Sequence, residues 1–107
     1  MAETKQLRHV VLLKFKENTP PADITYLEDE FRTLAKVKLL TIIKGYEWGK
    51  NVSKENLDRG YTHCFILTFT NEQDRDTYLE HPDHKAFVEI LKPHMVEATV
   101  IDFWALN

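Results

Sequence analysis

The chain has 107 residues, 43% of them hydrophobic and 29% charged, which suits one domain over residues 1–107 with a single hydrophobic core. A formal net charge of −3, from 14 basic and 17 acidic residues, excludes the broad positive field that drives nucleic-acid binding. The chain lacks both an apolar run near the roughly 20 residues that cross a bilayer and a leader-like N-terminus, and Cys64 stands alone, so a cytoplasmic location away from any membrane is expected.

Leu7 to Lys16 alternates imperfectly and is rich in Val, Leu and Phe, as in a strand covered on both faces near its middle. Val10 and Leu12 share one parity; His9, Val11, Leu13 and Phe15 share the other. Helix-start chemistry follows: Thr19 to cap, proline in the first turn and Asp23 at the positive end of the dipole. Ile24, Leu27, Phe31, Leu34 and Val37 recur at helical spacing and predict a helix ending near Lys38.

The stretch Thr41 to Val52 reads as a second strand, with Gly49 suited to a bulge or a close backbone approach. Polar residues from Ser53 to Gly60 separate it from a third strand over Tyr61 to Thr70. Asn71 is a helix cap, and Pro82 must break the helix that follows, which puts His81-Pro82-Asp83-His84 at a helix junction. Helical spacing resumes with Phe87, Ile90 and Leu91, and Ala98 to Trp104 closes the chain as a fourth strand.

The order β-α-β-β-α-β predicts an α+β, ferredoxin-like fold: a four-stranded antiparallel sheet with its helices on one face. The other face carries Val10 and Leu12 and needs a cover, which a homodimer closed by two sheet faces supplies.

The runs His9-Val10-Val11-Leu12-Leu13-Lys14-Phe15-Lys16, Gly45-Tyr46-Glu47-Trp48-Gly49-Lys50-Asn51-Val52, Gly60-Tyr61-Thr62-His63, Tyr78-Leu79-Glu80-His81-Pro82-Asp83-His84 and Val100-Ile101-Asp102-Phe103 together resemble the stress-responsive dimeric α/β barrel (Dabb) family. That family includes plant heat-stable and boiling-stable stress proteins and the plant polyketide cyclase that makes olivetolic acid. The resemblance implies two ferredoxin-like protomers forming a barrel, with an apolar pocket for a small hydrophobic or polyketide-like ligand. It also maps the cyclase's catalytic pair onto Tyr78 and His84, within a Tyr-x-x-His-Pro-x-His motif.

In aldol-type cyclisation, a histidine removes a proton beside a carbonyl while a phenol donates to the developing oxyanion. The function expected is that of a barrel that binds a small hydrophobic ligand in its apolar pocket without turning it over; the alternative is a polyketide-cyclase-like lyase with His84 as base and Tyr78 as donor. A cofactor-free monooxygenase shares only the architecture. His9, Val11, Leu13, His63, Phe65, His81, Phe87 and Val100 are the expected ligand-binding residues. Strands 1 and 3 run antiparallel, so His9 and His63 are expected at opposite ends. Asp102 interrupts an apolar strand and needs a partner, either a pocket histidine or a network at the dimer interface. Trp48, Trp104 and a buried Cys64 are assigned to structure. No further Cys or His completes a tetrahedral set around His81 and His84, so neither metal nor cofactor is expected. Val37 to Ile43 lacks the Pro-x-Met approach of plant relatives, so the cyclase's substrate preference does not transfer.

Overall fold

The computed structural model describes residues 5–106. Strand β1 (Leu7–Phe15) is followed by helix α1 (Pro21–Thr33), strands β2 (Gly45–Lys50) and β3 (His63–Phe69), helices α2 (Glu72–Glu80) and α3 (Pro82–Leu91), and strand β4 (Met95–Trp104). The sheet order is β2-β3-β1-β4, and every pairing is antiparallel. This is the ferredoxin-like arrangement that the element order predicts.

Burial alternates along β3 and along β1 as far as Lys14, so one face is sealed and the other half-covered. The sealed face carries Leu7, His9, Val11 and Leu13 of β1 with His63, Phe65, Leu67 and Phe69 of β3. Leu27 and Phe31 of α1, Tyr78 of α2, and Phe87 and Leu91 of α3 complete the core. Phe31 is its hub, with ring centroids 4.5 Å from Phe65 and 4.8 Å from Phe87.

Local chemistry departs from expectation at several points. Thr19 does not cap α1: its hydroxyl donates to the Lys16 carbonyl, and Pro20 occupies the cap position. Asn71 does cap α2, accepting from the Asp74 N–H at 2.8 Å. Beyond Thr33 the first helix widens into a π-helical turn, Leu34–Lys38, closed by the Leu39 N–H on the Leu34 carbonyl. That extra residue per turn rotates the apolar stripe out of phase, so Val37 is 67% exposed while Leu39 is buried. Strand β2 starts at Gly45 rather than Thr41, because the Ile42 and Ile43 N–H groups turn back onto the Leu39 carbonyl and bury Ile43.

Gly49 makes no close approach, whereas a Cβ on Gly45 would lie 3.1 Å from that of Thr68. Strand β4 begins at Met95, three residues earlier than expected, because its pairing with β1 continues to Phe15 through a register shift after Lys14. Cys64 belongs to the half-covered face and is partly exposed rather than buried.

Candidate functional site

Register puts four residues in one row across the sheet: Tyr46 of β2, Leu67 of β3, His9 of β1 and Asp102 of β4. In an antiparallel sheet directly paired residues share a face, so the whole row points at the helices. His9 Nδ1–H donates to Asp102 at 2.7 Å, and the other Asp102 oxygen accepts from Arg75 of α2 at 2.8 Å. Asp102 therefore orients a histidine, one of the two roles open to it from sequence. With Nδ1–H committed, His9 presents Nε2 to the interior.

Pro82 divides α2 from α3, and this break brings Tyr78 and His84 together although six positions separate them. Their ring centroids lie 4.5 Å apart, and the His9 ring stands 5.7 Å from Tyr78. Tyr78 is 1% exposed, and burial drives its phenol well above the usual range, so it stays a neutral donor. His84 Nδ1–H donates to the Leu79 carbonyl at 3.1 Å; because a carbonyl only accepts, this bond fixes the tautomer and leaves the Nε2 lone pair as a base.

Burial lowers the His84 pKa from its ordinary value of 6.5, opposed by the Leu79 bond and assisted by His9 and Lys85. Because the folded value is depressed, the unfolded chain binds this proton first as pH falls. The His84 contribution to stability is whole above 6.5 and disappears as pH drops through the folded value. The denaturation midpoint is therefore expected to fall as the pH drops below about 6.5. His84→Gln should flatten part of that slope; an identical slope in the variant would rule His84 out as its source.

His63 lies at the other end of the sheet, paired with Leu13, as antiparallel strands require. Its Nε2–H donates to Glu28 of α1 at 2.7 Å, its Nδ1 accepts from the Thr62 hydroxyl, and Trp48 stacks parallel to it. Both ring nitrogens are thus occupied. His81 caps α3, with Nδ1 accepting from the Asp83 N–H at 3.0 Å. Val11, Leu13, Phe65 and Phe87 are buried against the helices. Val100 shares their face but is 53% exposed, because β4 is an edge strand. Among the described residues, no group of three or more His, Cys, Asp or Glu side chains is placed to hold a metal ion.

Two concavities flank this interior. A groove of about 140 Å³ runs between α1 with its π-turn and α3, floored by Leu34 and Phe87. A cleft of about 930 Å³ opens where the 51–61 loop rises beside the half-covered sheet face, lined by Leu12, Cys64, Ile66 and Thr99 together with Trp48 and His63. Sequence reading missed Arg75, Glu28 and Tyr46. The first two look like ordinary helix-surface charges until the fold pairs them, but Tyr46 shares strand parity with Trp48 and was detectable on that ground.

A family model described as the stress-responsive A/B barrel domain matches residues 7–105. The chain belongs to that family. It is 38% identical over 104 residues to the stress-response A/B barrel domain-containing protein HS1 of Arabidopsis thaliana, covering 96% of this chain and 94% of that one. It is 29% identical to olivetolic acid cyclase of Cannabis sativa, over 91% of this chain and 94% of the cyclase. Among solved structures, the hydroxynitrile lyase of Passiflora edulis has the same fold, with a TM-score of 0.88 at 19% identity over 98% and 97% of the two chains. A dimeric ferredoxin-like protein of Thermobifida fusca also superposes, with a TM-score of 0.78 at 19% identity over 96% and 93%. No described helix is long and apolar enough to cross a membrane.

Proposed function

We propose that this chain is a homodimeric barrel whose helix–sheet interior binds a small hydrophobic ligand against Tyr78 and His84. The observation that carries the reading is an oriented reactive pair in apolar surroundings: a neutral phenol 4.5 Å, ring to ring, from an imidazole with its Nε2 lone pair uncommitted. Buried Val11, Leu13, Phe65 and Phe87 supply the apolar contacts, and Phe87 also floors the groove between α1 and α3.

Dimerisation accounts for the opposite sheet face, where Val10, Leu12 and Ile66 are half-covered and Ile101 and Phe103 are exposed. The dimeric state of fold relatives such as the Thermobifida fusca protein supports sheet-to-sheet docking.

Thermal denaturation tests both parts. The melting temperature should rise with protein concentration and with alkyl-aromatic probes. A probe at 100 times its dissociation constant should add about 2.7 kcal/mol of stability. A melting temperature indifferent to both would sink the reading.

The fixed tautomer of His84 favours a second reading, a polyketide-cyclase-like lyase. Nε2 takes a proton from the carbon beside a carbonyl, the resulting enolate attacks a second carbonyl of the same molecule, and the Tyr78 O–H donates to the developing alkoxide. The proton held on His84 then passes to that alkoxide. The similarity to olivetolic acid cyclase over 91% of this chain supports this reading.

A further inference from the structure

Among the described residues, the Tyr46 hydroxyl is the buried side-chain oxygen or nitrogen that has no hydrogen-bond partner. Such a group is rare in folded proteins, because it loses its bonds to water and gains none in return. Tyr46 begins the row that continues through Leu67 to His9 and Asp102, and it faces the same interior as Tyr78. Its ring lies 5.7 Å from Phe31, which packs at a tilt against Phe87 in the floor of the α1–α3 groove. The Tyr46 ring is therefore separated from that groove by the Phe31 ring. Burial raises its pKa, which keeps the proton in place for donation.

We infer that Tyr46 is a specificity-determining residue of this interior: its hydroxyl donates a hydrogen bond to an acceptor oxygen, such as that of a ketone, aldehyde or ester, on an otherwise apolar ligand. The inference rests on the proposal that the interior takes a ligand at all, and it adds the chemistry that ligand must carry. A purely hydrocarbon ligand leaves the hydroxyl as unsatisfied as it is in the free protein. A ligand that brings an acceptor oxygen to the Tyr46 hydroxyl satisfies it, and selectivity follows from that difference. Tyr46 touches neither His84 nor Asp102 in the hydrogen-bond network, so its role is separable from that of the Tyr78/His84 pair.

Two probes of similar shape decide the matter: 4-pentylacetophenone, which carries one carbonyl oxygen, and hexylbenzene, which carries none. In the absence of probe, Tyr46→Phe should melt no lower than the wild-type protein, because the lost hydroxyl had no partner. Binding of the ketone to Tyr46→Phe should weaken by about 3- to 10-fold, the range of one neutral hydrogen bond, while binding of hexylbenzene stays unchanged. Equal weakening for both probes, no weakening for the ketone, or a lower melting temperature of the free variant would each overturn the inference while leaving ligand uptake standing. If neither probe bound the wild-type protein, uptake of a ligand by the interior would be overturned along with it.

Discussion

Ile101→Lys is expected to convert the proposed dimer into a folded monomer, raising the dimer dissociation constant by at least about 100-fold, equivalent to about 2.7 kcal/mol. Ile101 lies on the half-covered sheet face, paired with Val10, which in turn pairs with Ile66, so these three form an apolar row across β4, β1 and β3. It is 59% exposed, and Phe103, two positions on, is 47% exposed. A contiguous apolar row this exposed on a regular strand is the kind of patch that marks an interaction face.

A lysine at the centre of two opposed sheets would lose its hydration without gaining a partner. In the monomer the same lysine projects into water, so far-ultraviolet circular dichroism should not change. Sedimentation velocity reads the outcome, with exposed Thr77→Lys on α2 as a control of equal charge change at a site away from the sheet. A variant that still sediments as the wild-type dimer would refute docking through this face.

Loss of either member of the reactive pair should abolish most turnover if the protein is a cyclase. For Tyr78→Phe and for His84→Gln, kcat/KM on a linear poly-β-ketone is expected to drop by about 10²- to 10⁴-fold, the usual contribution of a positioned acid or base. Tyr78→Phe is the sharper test. It preserves the ring contacts with Phe69, His9 and His84 and removes only the oxygen, so the fold should survive.

The wild-type rate should rise with pH as His84 loses its proton, with an inflection below the ordinary histidine value, because burial disfavours the imidazolium. Full turnover in both variants would rule the pair out as the acid and base, and no turnover by the wild-type protein would leave ligand binding without chemistry as the standing reading.

Much of the fold was legible because it rests on short-range rules. Alternation in Leu7–Phe15 and His63–Phe69 gave the strands and their inward parity, and Asn71 and Pro82 marked a helix start and a helix break that are both present. The errors cluster where tertiary contacts override local preference. Thr19 resembles a cap but finds the Lys16 carbonyl first. The π-turn at Leu34–Lys38 breaks the 3.6-residue period from which Val37 was read as buried.

The candidate site divides in the same way. Residue types and one motif singled out Tyr78 and His84, because a Tyr-x-x-His-Pro-x-His run is local and survives as written. Register across four strands put Tyr46, His9 and Asp102 in one row, and helix packing brought Arg75 to Asp102 and Glu28 to His63. These pairs join residues 27 and 35 positions apart, and one sequence contains no signal for a hydrogen bond over that span.

By itself the sequence determined the element order, the faces of the strands and the chemistry available, since periodicity, capping and the kinds of functional group belong to residues and their near neighbours. Only the tertiary structure decided which nitrogen of His84 is free, which histidine Asp102 orients and which hydroxyl lacks a partner, because each depends on groups that strand register and helix packing bring within about 3 Å.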